Sequence, residues 1–212
     1  MKFDSIIWDW NGTLLNDVTL AIDIINCLLA ERNLEQITSE RYLDVFTFPV
    51  RDYYVQIGFN FENESFEIPA LQFITAYNDA VEGCRLHSEV ISILHTFQKQ
   101  GCRQFILSAM EQTQLEKTVS DCGITNIFED LFGLDNHYAT SKVDNGRLLL
   151  KSKGLNPDQT VLIGDTIHDY EVAQALGCSC ILIANGHQSK QRLDCTGTTV
   201  LESLNEIAFL WK

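Results

Sequence analysis

Four short apolar runs punctuate the chain, and each is closed by a polar residue or a glycine. Residues 3–8 end at Asp9, 105–107 at Ser108, 161–163 at Gly164-Asp165 and 180–184 at Asn185-Gly186. Runs that are apolar throughout, rather than alternating, predict strands covered on both faces, as in a parallel sheet. Residues 131–134 form a weaker fifth candidate. Between the runs the spacing changes to that of a helix. In 89–100, Val90, Ile91, Leu94 and Phe97 fall on one stripe, with Ser88 placed to cap the start and Gly101 to stop the end. Segments 112–122, 143–153 and 169–176 each end at a glycine. Strands alternating with helices of this length predict an α/β fold, a doubly wound (Rossmann-like) parallel sheet with right-handed crossovers.

One stretch breaks the alternation. From Asn16 to His87 no strand is evident. Val18, Ala21, Ile22, Ile25, Leu28 and Leu29 follow helical spacing, as do Leu71, Ile74, Tyr77 and Val81, with Pro69 suited to a first turn and Gly83 to a stop. Segments 39–47 and 52–57 are shorter helical candidates. The expected organisation is therefore a core from 1–15 and 88–212, interrupted by a helical domain at 16–87.

Composition narrows the function. The 212 residues are 45% apolar and 21% charged, enough apolar surface for a folded core. The net charge of −14 argues against nucleic-acid or anionic-membrane binding, because phosphate backbones need clustered Lys and Arg. No apolar run is long enough to span a membrane, and the first ten residues, carrying Asp4 and Asp9, do not read as a signal peptide. Seven cysteines without a CxxC pair suggest reduced thiols and a cytoplasmic protein. Cys178 and Cys180 are expected to pack in the core.

The candidate chemistry gathers where strands end. In an open parallel sheet, ligands collect at the carboxyl ends of the strands. Asp9, Ser108 and the pair Asp165/Asp169 sit there, and Lys142 lies near the start of a helix. A strand-end carboxylate can be a nucleophile, a metal ligand or a turn cap. Gly12 lets the chain turn sharply beside Asp9. Ser108 and the backbone N–H of Ala109 can hold phosphate oxygens, or Ser108 can be an ordinary turn residue. Asp165 and Asp169, four apart in a strand-to-helix turn, suit Mg²⁺ with its hard oxygen ligands, or simply the helix N-terminus. Arg51, beside Pro49 and several aromatics, can reach an anionic leaving group or lie exposed. His168 is expected to satisfy local backbone groups, and the other histidines carry no readable signal.

Taken in order, Asp9-Trp10-Asn11-Gly12-Thr13-Leu14, Leu107-Ser108, Lys142 and Gly164-Asp165 to Asp169 resemble the four motifs of the haloacid dehalogenase superfamily. The chain looks most similar to the phosphoglycolate-phosphatase-like branch, whose helical cap falls where residues 16–87 do. The resemblance implies a small phosphorylated metabolite as substrate. It implies that Asp9 attacks phosphorus and forms an aspartyl-phosphate. It implies a Mg²⁺ cofactor held by Asp9, the Asn11 carbonyl and Asp165, with Asp169 in support. Ser108, Ala109, Lys142 and Thr13 would bind the phosphoryl group, Lys142 also restraining Asp9, and Arg51 would serve the leaving group from the cap.

One departure matters. Relatives of this type carry an Asp two residues after the nucleophile, as general acid and base; here it is Asn11. An amide can orient water and donate a hydrogen bond, but it cannot transfer a proton. A slow phosphatase and a protein that binds or stores the phosphoryl group both fit. Asn11-Gly12 is also prone to deamidation, which would create an acid there. The phosphonate-hydrolase relatives use a cap Lys, and no Lys occurs between Lys2 and Lys99. The dehalogenase relatives lack the first Asp of the last motif, which is present as Asp165.

Overall fold

The computed structural model describes residues 3–134 and 142–207. The chain opens with β1 (Ser5–Trp8) and a two-residue strand, β2 (Leu15–Asn16). Four helices follow, α1 (Val18–Glu31), α2 (Ser39–Val45), α3 (Val50–Gln56) and α4 (Glu67–Ala80). A second short strand, β3 (Arg85–Leu86), pairs antiparallel with β2. Then come α5 (Val90–Lys99), β4 (Arg103–Glu111), α6 (Gln112–Asp121), β5 (Asp130–Leu134) and α7 (Lys142–Lys153). The chain closes with β6 (Thr160–Gly164), α8 (Ile167–Leu176), β7 (Ser179–Ile183), α9 (Lys190–Asp194) and β8 (Thr199–Leu201).

Six strands form one parallel sheet in the order β5-β4-β1-β6-β7-β8. The order reverses direction at β1, which places its carboxyl end at the sheet's switch point, between those of β4 and β6. Alternate side chains of each strand enter different cores. Ile6 and Trp8 pack with Ile106, Ile163, Leu94 and Phe97 on one face. Ile7 packs with Phe105, Leu107, Leu162, Leu149 and Val172 on the other. Burial on both sides is why the strands read as unbroken apolar runs, and each fully buried Leu or Ile contributes about 1.5–3 kcal/mol. Cys178 and Cys180 join the second core, as expected.

Helices α1 to α3 build a third cluster, in which Ile25 and Leu29 meet Tyr42, Tyr53, Tyr54 and Phe59. The helical reading of this stretch holds, but one stripe within it and one just after it are only half buried. On α4, Leu71 is 66% and Ile74 is 54% exposed, while Val81, just beyond it, is buried. On α5, Ile91 is 50% exposed beside buried Val90, Leu94 and Phe97. Ser88 does not cap α5; the N-cap is Glu89, and the Ser88 hydroxyl donates to the Glu89 carboxylate instead. Three strands were not read from the sequence: β8 at the sheet edge, and the β2–β3 pair. No helix among the described residues is long and apolar enough to cross a membrane.

Candidate active site

Asp9 continues β1, its N–H donating to Ile163 O on β6 at 2.8 Å. The chain then turns through residues 10–15, where Leu14 N and Leu15 N both donate to Trp10 O. Gly12 sits in this turn at φ +74°, and a Cβ there would lie 2.4 Å from Asp165 Oδ2 and 2.5 Å from His187 Cδ2. Only glycine fits both the backbone conformation and the space. The Thr13 hydroxyl, fully buried, lies 3.2 Å from Asp9 Oδ2 and 3.0 Å from Asp165 Oδ1. Its proton serves these carboxylates, so Thr13 aligns them and its hydroxyl is not left open to a phosphoryl group.

Lys142, the first residue of α7, is buried with its ammonium between Asp9 Oδ1 and Asp169 Oδ1, 2.6 Å from the latter. Burial alone lowers a lysine's pKa, but the two carboxylates reverse the effect and hold the ammonium charged. The second Asp169 oxygen accepts from Asp165 N at 3.3 Å, from Thr166 N at 3.0 Å and from the Thr166 hydroxyl at 2.6 Å. Thr166 and Asp169 form a reciprocal cap on α8. Asp169 is therefore saturated. Burial raises its pKa, but Lys142 and the Thr166 hydroxyl, helped by His168, together more than offset burial and the net shift is downward.

Asp9 and Asp165 are less fully engaged. Asp165 accepts from Thr13 and, at 2.6 Å, from His187 N. Burial, helped by Asp169 and opposed by His187, pushes its pKa up to about 6. Burial also drives Asp9 well above the usual carboxylate range, against Lys142 and with the charges of Asp169 and Asp165. Ligand oxygens of Asp9, Asp165 and Asp169 lie within 4.8 Å of one another. The Asn11 backbone carbonyl accepts no hydrogen bond among the described residues.

A second network was not foreseen. Asp17 N-caps α1 by position, yet its side chain turns back to the loop after β1. It accepts from Gly12 N at 2.8 Å, Asn11 Nδ2 at 2.9 Å, His187 Nε2 at 3.2 Å and the Tyr77 hydroxyl. Burial raises its pKa, but His187, Tyr77 and Asn11 more than offset that, leaving it lowered. His187, in the loop after β7, meets the Tyr42 hydroxyl through Nδ1 at 2.8 Å. Burial works against its charge, but Asp17 and then Asp165 and Asp9 raise its pKa to about 9. The position of His187, just past Asn185-Gly186 at a strand's carboxyl end, was the available signal.

Asn11 is gripped from two sides. Its amide donates to Asp17 Oδ2 and, at 2.7 Å, to the Tyr77 hydroxyl of α4, while its oxygen accepts from the Ser108 hydroxyl at 3.4 Å. Ser108 lies in a bulge of β4, where the register with β5 shifts between Leu107 and Glu111. The bulge re-aims its side chain, which also accepts from Met110 N at 3.0 Å. Ala109, next in the bulge, is exposed.

Arg51 is not brought to Asp9. It is exposed on α3, with its guanidinium 5.4 Å from the Phe61 ring, in a cleft of about 420 Å³ formed with residues 61–67. The neighbouring aromatic ring supplies a cation–π partner that competes with any reach toward the core. His168 does not bind backbone; its ring lies 4.8 Å from Phe48 and its Nδ1 is 3.6 Å from Glu171.

Asp9, Ser108, Lys142, Asp165 and Asp169 thus converge at the carboxyl ends of β1, β4 and β6 and the start of α7. The family model for haloacid dehalogenase-like hydrolases matches residues 6–183, which include every one of these positions.

The chain belongs to the haloacid dehalogenase-like hydrolases.

Two curated relatives of this hydrolase family come from Pseudomonas putida. The chain is 25% identical to N-acetylmuramic acid 6-phosphate phosphatase over 88% of its own length and 85% of the relative's. It is 23% identical to phosphoglycolate phosphatase over 61% of its own length, and it spans about half, 48%, of that protein. Among solved structures, a predicted phosphoglycolate phosphatase from Haemophilus somnus superimposes with a TM-score of 0.80. That match covers 100% of this chain and 99% of the other, at 18% identity, so the fold is shared where the sequences have diverged.

Proposed function

We propose that this hydrolase is a Mg²⁺-dependent phosphatase that cleaves a small phosphate monoester through an aspartyl-phosphate on Asp9. The observation that carries this is the pairing of Asp9 with Lys142 at the sheet's switch point. A buried carboxylate held beside a fixed ammonium is placed for in-line attack, with a cation ready for the phosphoryl oxygens. The two P. putida relatives are both phosphatases by name.

The residues fit a divalent cation. Asp9, Asp17, Asp165 and Asp169 are all buried, and among the described residues only Lys142 and His187 are buried cations in the same region. The net negative charge favours a metal, and the spare carboxylate oxygens are hard ligands. Asp9, Asp165 and the Asn11 carbonyl would hold the ion. Asp169, with its oxygens already engaged, would act from behind by orienting Lys142 and the turn at Asp165–Thr166. When bound, Mg²⁺ would neutralise charge on the phosphoryl oxygens. Ser108, the Ala109 N–H and Lys142 would take the remaining oxygens.

In this reading residues 16–87 act as a cap on the core of 1–15 and 88–212, with the β2–β3 pair as the hinge. Support comes from contacts that join the insert to the core loop after β7: Ser189 N to Leu43 O at 3.1 Å, Gln188 Nε2 to Phe46 O at 2.9 Å, and Tyr42 to His187. The substrate would be a small cytoplasmic metabolite.

Asn11 favours a second reading, in which hydrolysis of the aspartyl-phosphate is slow and the protein binds or stores the phosphoryl group. No carboxylate stands at that position to take a proton from water. Phosphate release from an aryl phosphate, with Mg²⁺ and with EDTA, tests the first reading. It expects Mg²⁺-dependent turnover that Asp9→Asn abolishes. Turnover retained by Asp9→Asn overturns it, and phosphoryl protein that accumulates without phosphate release favours the second.

A further inference from the structure

We propose that the substrate is a phosphoryl donor whose leaving group departs as a stable anion, such as an acyl or aryl phosphate, because among the described residues every acidic proton donor around Asp9 is already committed. The inference rests on the reading of Asp9 as nucleophile and adds the class of phosphoryl donor it acts on.

Asn11 has two amide hydrogens; one goes to Asp17 Oδ2 and one to the Tyr77 hydroxyl. Only its carbonyl oxygen is left, and that faces Ser108. The Tyr77 hydroxyl donates in turn to Asp17. Lys142 lies between Asp9 and Asp169. His187 spans Asp17 and Tyr42 with its two ring nitrogens. The Thr13 hydroxyl serves Asp9 and Asp165. His87 spends Nε2 on Gly12 O at 3.0 Å.

Three donors among the described residues are buried without a partner, and none alters the conclusion. The Trp10 indole N–H and the Ser189 hydroxyl, at the N-cap of α9, are donors but not acids. The Tyr53 hydroxyl sits among the rings of Tyr42, Phe46 and Tyr54, inside the insert.

The chemistry balances without an acid. An Asp9 oxygen bonds to phosphorus, the bond from phosphorus to the leaving oxygen breaks, and the electron pair leaves on that oxygen as an anion, which takes its proton from bulk water after release. Water then attacks the phosphorus, the bond to Asp9 breaks, the carboxylate is restored, and both water hydrogens depart with dihydrogen phosphate. An alkoxide leaving group would have no such route, since it is too basic to depart unprotonated.

The test is a series of kcat/KM values, which report the first transfer to Asp9. The substrates are acetyl phosphate, 4-nitrophenyl phosphate, phenyl phosphate and glycerol phosphate, with Mg²⁺. The chain is expected to lose rate steeply toward glycerol phosphate. Asn11→Asp is expected to recover about 10²- to 10⁴-fold on glycerol phosphate, the usual contribution of a general acid, and far less on acetyl phosphate. The unaltered chain decides alone if that variant does not fold. Comparable kcat/KM for glycerol phosphate and 4-nitrophenyl phosphate overturns the inference, and so does a folded Asn11→Asp variant with an unchanged profile. Turnover that survives Asp9→Asn, or no turnover of any of the four, overturns the phosphatase reading itself and this inference with it.

Discussion

The imidazole of His187 lies 3.2 Å from the carboxylate of Asp17, joining residues 170 positions apart in the chain. Through this pair the loop after β7 is tied to the start of the helical insert, and the Asn11 turn is held between them. Both side chains are buried, so each carries the other's charge.

The pair makes stability depend on pH. The folded pKa of His187, raised to about 9, lies above the unfolded value near 6.5. Its contribution is therefore fully present below about pH 6.5 and is lost as pH rises toward about 9. Metal-free thermal unfolding is expected to show a falling midpoint across that window, and His187→Gln is expected to flatten it. Equal slopes for the two proteins would contradict the pairing.

Mg²⁺ should stabilise the chain more at neutral than at acidic pH. Burial pushes the Asp165 pKa up to about 6, so at about pH 5 the carboxyl carries a proton that the ion must displace. In the metal-free chain the same shift lowers stability as pH rises through about 6. Mg²⁺ is expected to raise the unfolding midpoint strongly at about pH 7.5 and weakly at about pH 5. The same rise at both values would argue against Asp165 as a ligand.

Lys142 is expected to be a stability residue as well as a site residue. Lys142→Met leaves the Asp9 and Asp169 carboxylates buried without a cation, a loss on the order of 3–5 kcal/mol in urea unfolding. Phosphate release should vanish with it. A change within about 0.5 kcal/mol would show that the carboxylates are solvated in the folded chain.

Gly12 and Gly101 share a positive φ, +74° and +79°, but only Gly12 is crowded. Gly101→Ala meets nothing within 4 Å and should cost only the backbone strain, about 1–2 kcal/mol. Gly12→Ala drives a Cβ onto Asp165 and should weaken Mg²⁺ binding by tenfold or more as well. Calorimetric titration of both variants separates the two effects; equal Mg²⁺ affinity in both would show that the Gly12 contact is easily relieved.

Much of this arrangement was legible in the sequence because it depends on short local signals. The five runs at 3–8, 105–107, 131–134, 161–163 and 180–184 all overlap strands; burial on both faces removes polar residues from four of them, whereas β5 lies at the sheet edge and is mostly half-buried. Asp9, Ser108 and Asp165 could be placed because they close those runs. Edge strand β8 escaped notice: it is three residues long and only its last is buried. The β2–β3 pair is too short to show a period. Asp17 and Tyr77 carry no local signal that distinguishes them from a cap and a helix stripe, His187 offers only its place just past a strand's carboxyl end, and only the fold brings the three together. The same holds for Arg51, whose partner ring Phe61 follows in a loop ten residues on.

The most direct test of the account is to find where the phosphoryl group goes. The chain would be mixed with acetyl phosphate and Mg²⁺, quenched in acid and digested, and the phosphorylated peptide located by mass. The modification is expected on Asp9 and is expected to be lost in Asp9→Asn. A phosphoryl group on any other residue, or undiminished phosphate release from Asp9→Asn, would contradict it.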